Sequence, residues 1–120
     1  MSLHKKVKNL IRLRLNNDYD CVCWNNESGQ ALHQSGHTVR YGVGKGGADL
    51  VGIIGPWGKW FSMEVKVGKD RQRDNQKANQ QCVEMYGGFY AIVSSEQEAA
   101  EMMEAWIQSL ESTWLLKPSN

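Results

Sequence analysis

No apolar run in this sequence approaches the ~20 residues that a membrane span requires. The basic start, Met1 to Lys8, is not followed by the apolar core of a signal peptide. A cytoplasmic protein is therefore expected, or a nuclear one in a eukaryote. Cysteine is scarce: Cys21, Cys23 and Cys82. An odd number at these spacings does not suggest a disulfide framework. Cys21 and Cys23 have two readings. They join Cys82 and a histidine on zinc, or they are small apolar residues of a strand; their strand-like surroundings favour the second. No repeat, low-complexity tract or internal linker interrupts the chain, and 120 residues suit one domain, 1–120, with one modest core.

Charge of one sign is missing from whole stretches. Met1 to Arg14 holds five basic residues (Lys5, Lys6, Lys8, Arg12, Arg14) and no acid. Glu96 to Glu111 holds five glutamates and neither Lys nor Arg. A second basic stretch, Lys66 to Lys77, contains Lys66, Lys69, Arg71, Arg73 and Lys77 against Asp70 and Asp74. The net charge of +1 conceals this asymmetry. Separated charge suits a polyanion docking on one face; solvated helix surfaces give the same pattern.

Hydrophobic spacing predicts a helix over about Leu3 to Leu15, stopped by Asn16-Asn17-Asp18. Tyr19 to Trp24 reads as a strand, with shorter strands at Gln30 to His33 and Thr38 to Tyr41. A glycine-rich loop, Gly42 to Gly47, precedes two strands, Asp49 to Ile54 and Lys59 to Val67, that flank Gly55-Pro56-Trp57-Gly58. The polar stretch from Arg71 leads into a helix ending near Tyr86, where Gly87-Gly88 terminates it. Phe89 to Val93 reads as a buried strand. The last helix starts at Ser95, an N-cap with Glu98 three residues on, and runs to about Glu111, with the tail from Lys117 to Asn120 frayed. The order predicts an α/β domain with a central mixed sheet flanked by helices.

The chemistry concentrates in the hairpin around Pro56. A tight turn centred between Pro56 and Trp57 sets Asp49 opposite Glu64, with side chains on one face. Lys66 shares that face, two residues on, while Met63, Val65 and Val67 point to the core. Two adjacent carboxylates repel unless a cation lies between them or one is protonated. Oxygen donors of this kind suit Mg²⁺ or Mn²⁺, with Asp49, Glu64 and the Val65 carbonyl as ligands. Lys66 would orient or deprotonate water, or neutralise an attacked phosphate. The alternative is a salt-bridged surface hairpin. The glycine loop lacks the P-loop pattern, but its bare backbone admits a phosphate closely. Lys45, Gly46, Gly47, Lys69, Arg71, Arg73 and Lys77 are the candidate nucleic-acid contacts.

The run from Tyr41 to Gly52, then Met63-Glu64-Val65-Lys66, then Gln76-Lys77 and Gly87-Gly88, resembles the VRR-NUC (virus-type replication-repair nuclease) family of the PD-(D/E)XK superfamily. The resemblance covers roughly Trp24 to Ser95. It implies a restriction-endonuclease-like core and phosphodiester hydrolysis with Mg²⁺ or Mn²⁺. Asp49 and Glu64 match the metal-binding acids, Lys66 the catalytic lysine, and Gln76 the glutamine that positions water or substrate. Ala48 stands where the superfamily name has proline. Many relatives also place a glutamate of the first helix at the metal; here no acid precedes Asp18, and His4 and then Glu27 are the nearest substitutes.

Small stand-alone members resemble phage nucleases that cut branched DNA, including four-way junctions. The resemblance thus implies a structure-selective DNA endonuclease, read by shape and phosphate contacts. Symmetric junction cutting needs two sites, which a homodimer supplies. Trp24, Trp57, Trp60, Trp106 and Trp114 could serve an interface, unpaired bases or the core, with Trp106 assigned to the core. The competing functions are an inactive nucleic-acid-binding module and a sequence-specific restriction-type endonuclease on the same core.

Overall fold

The computed structural model describes residues 1–26, 29–32, 34–36, 38–41 and 47–115, with backbone alone at 29–32, 38–41 and 114–115. Glu27, the loop positions Gly42 to Gly46 (with Lys45) and the tail from Lys117 lie outside the described residues. Helix α1 spans Leu3–Asp18 and begins where the Ser2 hydroxyl accepts the Lys5 N–H. It runs past the expected stop at Asn16. The Asn16 carboxamide does not compete for its own helix; it accepts the Cys23 N–H at 2.8 Å and donates to the Cys23 carbonyl at 3.0 Å. It thereby satisfies backbone groups of β1 (Cys21–Asn25) and lets the helix continue to Asp18.

Strands β2 (Gly29–Leu32) and β3 (Thr38–Tyr41) form a separate two-stranded antiparallel sheet. The main sheet has the order β1-β4-β5-β6, with β4 at Leu50–Ile54, β5 at Lys59–Val65 and β6 at Phe89–Val93. Its first two pairings are antiparallel and β5-β6 is parallel, so the sheet is mixed. The β4-β5 register runs from Leu50↔Met63 to Ile54↔Lys59, as a turn centred between Pro56 and Trp57 requires. That turn contains a cis Gly55-Pro56 bond. Helix α2 (Asp74–Met85) provides the crossover between the parallel strands β5 and β6. It ends as expected: Gly87 has φ +86°, and the N–H groups of Gly87 and Gly88 donate to the carbonyls of Glu84 and Val83.

Helix α3 (Glu96–Leu115) is longer than the sequence suggested. Ser95 caps it by accepting the Glu98 N–H at 3.1 Å. α1 and α3 pack side by side, and together with the sheet they enclose the core of Ile11, Leu15, Leu50, Ile54, Phe61, Met63, Val65, Ala99 and Met103. The basic and the acidic helix are therefore neighbours in one layer. Trp106 stacks on Phe89 with centroids 4.8 Å apart and meets Phe61 edge-on at 6.0 Å, which fulfils its core assignment. Gly52 is required here because a Cβ would collide with the Phe61 ring and the Val22 carbonyl. Cys23 is buried, Cys21 half-buried and Cys82 exposed, all as free thiols. Burial pushes the Cys23 thiol up to about 12, as befits a small apolar residue. Among the described residues, no helix is long and apolar enough to cross a membrane.

Candidate active site

Alternation along β5 sends Phe61, Met63 and Val65 into the core and Ser62 and Glu64 to the opposite face. Glu64 is nevertheless only 3% exposed. Its Oε1 accepts from Gln76 Nε2 at 3.1 Å and lies 3.8 Å from Lys66 Nζ. Its Oε2 is buried and has no hydrogen-bond partner while the carboxyl is ionised; the protonated carboxyl bonds to Asp49. Burial first, then the charge and hydrogen bonding of Asp49, push the Glu64 carboxyl up to about 8, against the opposing pull of Lys66 and Arg73. The site thus holds an acid that carries its charge poorly unless a cation joins it.

Asp49 sits in the bend just before β4, one residue short of the ladder position the register would give it. Its main chain turns toward β1: the Asp49 carbonyl accepts the Asn26 N–H at 2.8 Å. Its side chain turns toward β5, where Oδ2 accepts the Val65 N–H at 2.8 Å. This splayed geometry, rather than direct cross-strand pairing, brings the Asp49 carboxylate beside Glu64. Asn26 also donates to the Ala48 carbonyl at 2.9 Å and so fixes the approach to Asp49. The sequence reading missed this role, since asparagine in a turn is unremarkable by composition.

Lys66 follows β5 directly, its main-chain N–H donating to the Val93 carbonyl at 3.0 Å. Gln76 is placed by the first turn of α2. Its Oε1 accepts the Arg73 N–H at 2.8 Å, which commits the carboxamide so that its NH₂ faces Glu64. Gln80, one turn on, bonds to Gln72 and Glu84 instead. Asp49, Glu64, Lys66 and Gln76 are therefore brought together.

His4, the nearest substitute for the missing first-helix acid, reaches the site. Its Nε2 lies 3.2 Å from Asp49 Oδ2 and 3.0 Å from the Val65 carbonyl oxygen. The only sequence signal for it was the lack of an acid in the first helix. Tyr90 was read simply as part of a buried strand. It lies beside Ser62 in the parallel register, on the Glu64 face, and its hydroxyl is buried with no acceptor for its proton. Burial raises its pKa against the opposing hydrogen bond from Gln72, and the charges of Glu64 and Asp49 add to the rise, so the hydroxyl keeps its proton.

The candidate nucleic-acid contacts are less concentrated. Lys69, Arg71, Arg73 and Lys77 are all exposed, and none bonds to Asp49, Glu64 or Lys66. Gly47 is half-buried before Asp49, while Lys45 and Gly46 lie outside the described residues. Among the described residues, no three His, Cys, Asp or Glu side chains gather as a preformed metal cluster. The oxygen donors are two carboxyls and the Val65 carbonyl. That set fits Mg²⁺ or Mn²⁺, which keeps waters and takes substrate phosphate alongside one or two carboxylates; the partnerless Glu64 Oε2 is an open donor for it.

No protein-family model matches this sequence, and no curated protein matches it either. The functional reading consequently rests on the chemistry of the site and on the motif resemblance.

Proposed function

We propose that the protein is a metal-dependent, structure-selective DNA endonuclease of the PD-(D/E)XK type, with Asp49, Glu64, Lys66 and Gln76 as its active site. The carrying observation is the buried Glu64 carboxyl, with one oxygen partnerless, beside Asp49 and 3.8 Å from the Lys66 ammonium. A structural salt bridge explains Lys66 and one oxygen of Glu64. It does not explain why a second acid, Asp49, is set against the buried Glu64, where the two are compatible only with a shared proton or a cation between them.

Asp49, Glu64 and the Val65 carbonyl would hold Mg²⁺ or Mn²⁺, which supplies Lewis-acid stabilisation of phosphoryl charge. Lys66 neutralises the charge that builds on the attacked phosphate. Gln76 restrains Glu64, so that the free oxygen keeps its aim. Water forms the new O–P bond and loses a proton; the P–O3′ bond breaks and the leaving oxygen gains one. The products are a 5′-phosphate and a 3′-hydroxyl. Lys69, Arg71, Arg73 and Lys77 provide sequence-independent attraction for DNA. A four-way junction is the substrate class that the motif resemblance favours, and paired cuts need a homodimer. Val22, Trp24, Ile53, Trp60 and Ile92 give the open sheet face an exposed apolar surface where a second copy would be sought.

The test is cleavage of a synthetic four-way junction and a matched linear duplex in Mg²⁺, Mn²⁺ or EDTA, with Lys66→Ala alongside and mass by light scattering. Metal-dependent paired cuts on the junction, lost in the variant, are expected. A second reading, a binding module without catalysis, is favoured by the lack of a three-side-chain metal cluster among the described residues. Junction binding without cleavage in either metal would establish it.

A further inference from the structure

Two buried polar groups lie on the same side of the sheet, each with a hydrogen-bonding position left unfilled. One is Glu64 Oε2, an acceptor; the other is the Tyr90 hydroxyl, a donor. Tyr90 is 6% exposed and Glu64 3%. The parallel register sets Tyr90 beside Ser62, and Glu64 follows Ser62 by two residues on the same face. Ser62 does not occupy the Tyr90 hydroxyl, since its Oγ accepts from Trp60 Nε1 at 3.0 Å. The Gln72 amide acts on the Tyr90 oxygen as a donor and also donates to Gln80 at 2.9 Å; neither contact takes up the phenolic proton.

A buried hydroxyl whose proton has no acceptor is destabilising. A donor and an acceptor with unfilled positions on one face of the sheet mark a place for a ligand that complements both. On the reading above, that ligand is a phosphate with its cation: the cation meets Glu64, and a phosphoryl oxygen meets the donor. We propose that Tyr90 is a further substrate-binding residue of this site, its hydroxyl donating a hydrogen bond to a non-bridging oxygen of the bound phosphate. Phenylalanine at the same position would fill the same space without the donor.

This inference rests on the phosphodiesterase reading, but its test does not need cleavage. Inorganic phosphate binding in Mn²⁺ is measured by calorimetric titration for the native protein, Tyr90→Phe and Lys66→Ala, with melting temperature recorded for each. Tyr90→Phe is expected to melt at or above the native temperature, because it removes an unsatisfied group. It is also expected to weaken phosphate binding about 10-fold, the effect of one hydrogen bond to a charged group. A purely structural tyrosine would show the reverse: lower melting temperature and unchanged phosphate affinity. Equal phosphate affinity in Tyr90→Phe and the native protein overturns the proposal, as does the absence of phosphate binding by the native protein. If the native protein binds phosphate through Tyr90 yet cuts no DNA, the nuclease reading fails and the Tyr90 site stands.

Discussion

The two faces of strand β5 are built from alternate residues of one seven-residue segment and behave oppositely. On one face Phe61, Met63 and Val65 are sealed beneath α1 and α3. On the other, Ser62 and Glu64 are buried as well, yet Glu64 and nearby Tyr90 keep hydrogen-bonding positions unfilled. Farther along that second face, Val22, Trp24, Ile53 and Trp60 remain substantially exposed. One face is saturated, with each side chain's contacts made within the chain. The other is incomplete in a polar way at Glu64 and in an apolar way toward β1. The difference teaches that burial and internal satisfaction are separable on one strand, and the proposed site lies where they part.

The sharpest way to break the comparison is to remove the polar face's charge. Lys66→Ala is expected to lower single-turnover cleavage of a four-way junction by about 10³-fold or more, with the urea midpoint little changed. On the saturated face, Phe61→Ala should cost about 3–5 kcal/mol in urea unfolding, with cleavage per folded molecule retained. A matched loss of stability from both variants would erase the distinction between the faces.

A pH series sharpens it further. In metal-free protein the Glu64 carboxyl is held up at about 8 against an unfolded value of 4.5. Between these values the folded state binds more proton than the unfolded state, so stability falls as pH rises. The contribution is complete below 4.5 and is lost as pH climbs through about 8. Urea midpoints in EDTA should decline over this window, and Glu64→Gln should flatten the decline. An equal slope in the variant would assign the pH dependence elsewhere. Added Mn²⁺ should restore stability at the alkaline end, because it binds the ionised form.

Smaller effects are expected at the margins. His4→Ala removes the contacts with Asp49 and the Val65 carbonyl. His4 is half-exposed, so a loss of about 1 kcal/mol is expected by chemical denaturation. Val22→Thr, on the open face, should stay within about 0.5 kcal/mol; a larger loss would mean that face is already covered in solution.

Local patterning carried much of this into view from the sequence. Strands β3 and β6, the glycine stop after α2, the Ser95 cap and the β4-β5 register were all legible, because turn chemistry and period-2 alternation are short-range properties. Glu64 and Lys66 followed from the alternation along β5 and Gln76 from the motif, whereas Asp49 lies before the ladder and reaches the site by its side chain instead of the expected cross-strand pairing. What the sequence left open depends on partners distant along the chain. Asn16 continues a helix because its side chain serves β1, and α3 extends beyond Glu111.

The sequence by itself therefore determined the element order, the apolar and polar faces of β5, and the acids and lysine of the site. Only the tertiary structure decided that Asp49 reaches Val65 through its side chain, and that His4, 45 residues earlier, meets it there. The fold likewise placed the Tyr90 hydroxyl beside the carboxyls. The physical reason is that alternation fixes which way a side chain points, whereas its partners and its unmet hydrogen bonds depend on what the rest of the chain packs around it.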